Sequence, residues 1–182
     1  HEAIAALDGP NHFFVSRGDV PYVWEPGGVS HEGCAGLLAL RGHLRALAAM
    51  TDGPVPERDE DVGRDVVERA FAVMTACELP LQGRLLEWLA AHPRITLVGP
   101  ASADADERVS TIAFRHADRS SAAISAAVNA RGIGIRHGHM YSHRLCEAMG
   151  IPPEDGVVRV SAVHYNAAEE IETLIGVLEE IC

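Results

Sequence analysis

Val157-Val158-Arg159-Val160-Ser161-Ala162-Val163 alternates apolar and polar side chains after its first residue, and the chain beyond it changes period. Alternation is the signature of a strand with one face buried. Ile171, Leu174, Ile175 and Leu178 then recur at helical spacing, so a closing amphipathic helix is predicted from Ala167 to Ile181. Working upstream, the same mixture continues. Ile95 to Val98 and Val109 to Phe114 are predicted strands, and Ser120 to Ala130 is a predicted helix, capped by Ser120 or Ser121 and stopped at Gly132. Ile133 to Arg136 is a short strand, and Leu145 to Met149 a brief helix. Strands and helices intermingle without a repeated βαβ rhythm. The predicted class is therefore α+β, with helices on one face of a small antiparallel sheet.

The first half is helical and loop-rich. His1 to Leu7 has the pattern of a helix tail stopped by Asp8, Gly9 and Pro10, and Phe13-Phe14-Val15 that of a short buried strand or extended contact. Pro21 to Ser30 is an ordered loop held by Tyr22 and Trp24. A helix with a broad apolar face (Cys34, Leu37, Leu38, Leu40, Leu44, Leu47) runs from Ser30 to about Met50, and Asp52 to Pro56 breaks it. A longer helix starts near Asp59, with Pro80 expected to kink or interrupt it before Leu81 to Ala91 resumes.

Composition narrows the function classes. The chain has 182 residues, and its 15 basic residues, all arginine, stand against 26 acidic ones for a net charge of −11. Such a balance repels nucleic-acid phosphates and anionic membranes, so neither is an expected partner. No apolar run approaches the ~20 residues of a membrane span and no signal pattern opens the chain. The four cysteines, Cys34, Cys77, Cys146 and Cys182, have long irregular gaps, as in a cytoplasmic protein with reduced thiols. The chain opens on His1 rather than methionine, as a processed or truncated piece would.

Three segments have the residue types that chemistry needs. Arg136-His137-Gly138-His139-Met140-Tyr141-Ser142-His143-Arg144-Leu145-Cys146 crowds histidines, arginines, a tyrosine and a cysteine between a strand and a helix. His139 and His143 would share one helical face with Cys146 and so admit a metal, but Gly138 and the strand exit argue against a helix there. A polar loop is the plainer interpretation. In the second segment, Arg159 sits mid-strand, where a guanidinium that cannot lose its proton needs a carboxylate, a phosphate or a well-placed solvent channel; the choice is between a salt bridge to an acidic residue and a bidentate clamp on a substrate carboxylate. In the third, Gly27-Gly28 precedes a helix start, which is either a simple turn or a place where backbone amides approach an anion.

In order, these pieces resemble the C-terminal part of class V aminotransferases, the pyridoxal-phosphate enzymes of fold type I that include cysteine desulfurases and isopenicillin N epimerase. Glu25-Pro26-Gly27-Gly28 with Glu32 resembles the family's E-x-G-T-x-N/E loop before its interface helix. Thr96-Leu97-Val98-Gly99-Pro100 looks like the strand opening its small domain. Gly132 to His139 resembles G-I-x-x-R-x-G-H, and Arg159-Val160-Ser161 through Tyr165-Asn166 to Ile171 resembles R-x-S-x-x-x-Y-N-T-x-E-E-V.

The resemblance implies an arm, Gly-rich loop and interface helix over 1–56, connecting helices over 57–93 and a small α+β domain over 94–182. It implies that Arg159 grips an amino-acid substrate's α-carboxylate, that Arg136 lines the same pocket with His139 at its mouth, and that Gly27 and Gly28 approach the cofactor phosphate of a partner subunit. Tyr141 falls where desulfurases have their sulfur-accepting cysteine, and Cys146 lies five residues beyond, which argues against persulfide transfer; Tyr141 becomes a candidate acid or hydrogen-bond donor. Gly28 replaces the loop's threonine. With no lysine, this polypeptide supplies no Schiff-base amine, so alone it is expected to be inactive. The partners implied are a homodimer mate or a missing large domain, met through the helices at 30–50 and 59–91. A stand-alone carboxylate-binding or subunit-interaction module of a split enzyme is the alternative, with a His/Cys metal-binding domain behind it.

Overall fold

The computed structural model describes residues 6–7, 12–20, 22–25 and 27–182. The chain forms two compact units, His1–His43 and Leu44–Cys182. Among the described residues no helix is long and apolar enough to cross a membrane.

In the first unit, the helix expected at His1 to Leu7 lies outside the described residues apart from positions 6 and 7. The strand or buried contact expected at Phe13-Phe14-Val15 does not form. The Val15 N–H instead donates to the His12 carbonyl at 3.0 Å, closing a tight turn that leaves Phe13 and Phe14 exposed. Helix α1 (His31–Ala48) starts where the Ser30 hydroxyl accepts the Gly33 N–H at 3.1 Å, an N-terminal cap. Leu37, Leu38 and Leu40 on this helix are 68%, 65% and 50% exposed.

In the second unit, Ala48 packs with Val66 and Ala70 in a small apolar cluster flanked by Leu44, Leu47, Val55 and Val62. Helix α2 (Arg64–Ala91) is a single helix with Pro80 inside it, so the interruption expected there does not occur. An internal proline costs about 3 kcal/mol. Leu81, Leu85, Leu86 and Leu89 are buried just beyond it. At ~1.5–3 kcal/mol per buried leucine, their packing outweighs the proline.

Four antiparallel strands, β1 (Ile95–Val98), β2 (Thr111–His116), β3 (Arg136–Gly138) and β4 (Val157–Ser161), form one sheet in the order β1-β2-β4-β3. Helices α3 (Ser121–Asn129), α4 (His143–Ala148) and α5 (Ala168–Ile181) complete the chain. The class is α+β, as the alternation and helical periods require.

Two strands start later than their apolar runs. Before β2, the Arg108 guanidinium holds the Pro100 and Thr111 carbonyls, and Val109 points outward. Before β3, the N–H of buried Ile135 goes to Asn129 Oδ1 at 2.9 Å rather than to a neighbouring strand.

Alternation sorts the sheet's two faces. Ile112, Phe114, Val158 and Val160 meet α2, α3 and α5 (Leu85, Leu89, Ile124, Val128, Ile171, Leu178) in the main core. On the opposite face, Val157 packs with Cys146 of α4 and Ile151, against Val98 and Ala113. The start of α5 is fixed by Glu170. Its carboxylate accepts the Ala167 N–H at 2.8 Å and the Asn166 amide at 3.1 Å, and these bonds hold it below the usual carboxylate range.

Candidate functional site

Arg159 lies between the buried residues Val158 and Val160, so its side chain leaves the sheet on the face away from the main core. Register places it beside Ala113 of β2 on one side and directly opposite Arg136 of β3 on the other. Directly opposed residues share a face with their Cβ atoms about 5 Å apart, and like charges there repel. No described carboxylate forms an ion pair with either arginine. The Arg159 Nε is buried and has no hydrogen-bond partner among the described residues. Two always-charged forks on one strand pair, with no carboxylate partner among the described residues, have the chemistry to take an anion with two acceptor oxygens.

The loop leaving β3 is aimed by two glycines. Gly138 (φ +119°) meets Gly156 (φ +62°) in an isolated bridge. A Cβ on Gly156 would fall 2.1 Å from the Gly138 carbonyl carbon and 2.5 Å from the His139 nitrogen, so only glycine fits there. Beyond them, Met140 (φ +49°) and Tyr141 (φ +63°) are consecutive non-glycine residues in the left-handed region, at a cost of about 1–2 kcal/mol each. This turn brings the Tyr141 N–H to His139 Nδ1 at 3.1 Å and the Ser142 N–H to the His139 carbonyl at 2.7 Å. The Tyr141 side chain is fully exposed, and its ring meets that of His139 edge-on at 6.4 Å.

The histidines and Cys146 do not converge. The rings of His139 and His143 lie 5.6 Å apart, His143 Nδ1 is 3.5 Å from the Glu147 carboxylate, and Cys146 is buried beneath the sheet with Ile151 and Val157. Among the described residues no three metal-ligating side chains come together. Gly27 and Gly28 belong to the other compact unit, where they are exposed and a Cβ on either would meet nothing within 4 Å.

Two features are not visible in the sequence. The direct opposition of Arg136 and Arg159 is a matter of register. Arg115 falls on the outer face of β2 by alternation with Ile112 and Phe114, and its Nε is also buried without a partner among the described residues. Its signal, the strand's alternation, is hidden when the predicted strand ends at Phe114.

With this geometry in view, a comparison with protein families matches aminotransferase class-V over residues 66–174. The chain belongs to the class V aminotransferase family. An aminotransferase-like protein of Gibberella zeae is 32% identical over 180 residues, covering 98% of this chain and 40% of that protein. A cysteine desulfurase-like protein of Aspergillus flavus is 30% identical over 174 residues, 94% of this chain and 35% of that one. Among solved structures, the apo cysteine desulfurase of Thermococcus onnurineus aligns with a TM-score of 0.57 at 25% identity, over 65% of this chain and 28% of its own.

The class V chain thus spans 40% or less of the length of each of these three proteins. The family is pyridoxal-phosphate dependent and its members are typically dimeric. Tested against that cofactor, the residues present leave its site incomplete. Gly27 and Gly28 are exposed, with nothing within 4 Å of where a Cβ would stand, and no lysine exists among the 182 residues to hold the aldehyde carbon.

Proposed function

We propose that this chain is the C-terminal portion of a pyridoxal-phosphate enzyme of class V that acts on an amino acid, and that its own contribution is to bind and orient the substrate. The observation supporting this most directly is the Arg136–Arg159 pair, opposed in register without a carboxylate partner among the described residues. Arg159 would take the substrate α-carboxylate through its fork, with Arg136 on the same anion from the neighbouring strand. Fixing the carboxylate fixes the rotation about the substrate's Cα, which decides which Cα bond is set up to break. The exposed Tyr141 phenol, next to His139, would hold or deliver a proton near that atom.

When bound, pyridoxal phosphate supplies the electron sink that makes a substrate Cα bond labile. Gly27 and Gly28 would contact its phosphate across a subunit boundary, and the attachment lysine must come from outside this chain. We assign 1–56 to an arm and interface helix, 57–93 to connecting helices and 94–182 to the substrate-gripping domain. The partner, a second copy or the remainder of a longer polypeptide, would meet the helices at 30–50 and 59–91, where Leu37, Leu38, Leu40 and Phe71 are exposed. The proposed compartment is the cytoplasm.

The test uses the whole polypeptide that contains this chain. A charge-assisted bond contributes about 1.5–3 kcal/mol, so Arg159→Ala should raise KM for the amino acid roughly 10- to 100-fold. Arg159→Lys, which keeps the charge but loses the fork, should fall between the two. Unchanged KM in both variants would exclude the carboxylate role.

A further inference from the structure

Ahead of β2, five polar side chains surround one small space. Thr75, Glu78 and Gln82 recur at helical spacing on α2, and Arg108 and Ser110 turn toward that helix while Val109 between them points outward. Together they line a cavity of about 80 Å³. Gln82 and Ser110 are only 3% and 5% exposed, at positions where a core normally has apolar side chains. Gln82 Oε1, Ser110 Oγ and Arg108 Nε are buried and have no hydrogen-bond partner among the described residues. The other Arg108 nitrogens hold the Pro100 and Thr111 carbonyls, and burial pushes the guanidinium below its ordinary value. Glu78 lines the same cavity, and among the described residues it forms no ion pair with Arg108.

The mixture of groups decides what fits. A cation would meet the Arg108 charge, and an anion would meet Glu78 and the Gln82 oxygen. An apolar filling would leave three buried polar atoms unpaired, each at its full desolvation cost. Water both donates and accepts, so it suits a guanidinium N–H, an amide oxygen, a hydroxyl and a carboxylate at once. We propose that this cavity is a binding site for about two or three ordered waters, each taking about 30 Å³, which bridge the Arg108 guanidinium to the Glu78 carboxylate and complete the hydrogen bonds of Gln82 and Ser110. Such bridges are nearly as favourable in enthalpy as direct bonds. They fasten α2 to the arginine that sets where β2 begins. The assignment does not depend on the substrate role of the β3 and β4 arginines.

A crystal structure of the whole polypeptide containing this chain, at a resolution that orders water, reads the site directly. Water density is expected about 2.7–3.2 Å from Arg108 Nε, Gln82 Oε1 and Ser110 Oγ. In solution, nuclear Overhauser transfer from long-lived water to the Arg108 Nε proton should accompany it. Gln82→Met is close in volume and lacks the polar atoms, so it should lose the water at residue 82 and keep those at Arg108. If that variant does not fold, Ser110→Ala takes its place and should lose the water at residue 110 alone.

Four results overturn the assignment. One is a cavity without water density or Overhauser transfer. Another is a direct Glu78–Arg108 ion pair that closes the space. A third is an ion there, recognised by its anomalous scattering, or a side chain from the rest of the polypeptide filling the site. The last is a water set unchanged by the substitution, which would remove Gln82 or Ser110 as its partner.

Discussion

A guanidinium opposite a guanidinium raises the energy of the ligand-free protein. Repulsion across a strand pair is worth a few tenths of a kcal/mol to about 1 kcal/mol. Arg136→Gln should therefore raise the ligand-free melting temperature slightly while weakening carboxylate binding, a stability–function opposition that thermal melts with and without propionate would display. Another residue ties stability to pH. Burial, helped by the Arg94 charge, holds His116 below its ordinary value of 6.5. A depressed histidine is neutral in the folded state at a pH where the unfolded chain is already protonated. The stability it contributes is thus complete above about pH 6.5 and is lost as pH falls through the folded value. His116→Gln should flatten the acid limb of a denaturation midpoint-versus-pH curve, and an unchanged limb would exclude His116 as its source.

Elements show where local sequence is enough. The Ser120 hydroxyl accepts the Ala123 N–H at 3.2 Å and Gly132 turns out of α3 at φ +82°, as the cap and stop residues predict. The α5 periodicity puts Ile171, Leu174, Ile175 and Leu178 in the core where they lie. The features that are not legible depend on groups distant in sequence. Arg108 delays β2, Asn129 delays β3, and leucines packing under the sheet carry α2 through Pro80. Phe13 to Val15 misleads because an apolar triplet without a partner strand has nothing to pair with. At the site, the residue types are legible, whereas their pairing across strands is not. The least obvious element is the glycine bridge. Gly156→Ala combines a left-handed φ with a backbone clash, and should cost about 1–3 kcal/mol or displace the His139 turn. Hydrogen exchange of the 138–142 amides would distinguish it from Gly150→Ala, also at positive φ but with open space around it.

At the scale of the whole molecule, an acidic chain of net charge −11 presents a cationic sheet face and an uncovered leucine ridge on α1. With the ridge covered by a second copy, as proposed above, Leu37→Glu with Leu40→Glu should shift the assembly toward monomer in sedimentation, leaving the fold of Leu44–Cys182 intact by circular dichroism. The mass of the native polypeptide is the companion measurement. A product of about two and a half times this length, as the curated relatives have, with lysines upstream fits a single enzyme, and a 19.5 kDa product means a split enzyme with a separate lysine-bearing subunit or a lysine-free binding module. Finally, the arginine forks of β3 and β4, which have no carboxylate partner among the described residues, do not distinguish one small oxyanion from another by charge alone. With Arg159 and Arg136 in the proposed carboxylate-binding role, sulfate, phosphate and carboxylate buffers should compete with the substrate, and apparent substrate affinity should then depend on the choice of buffer salt.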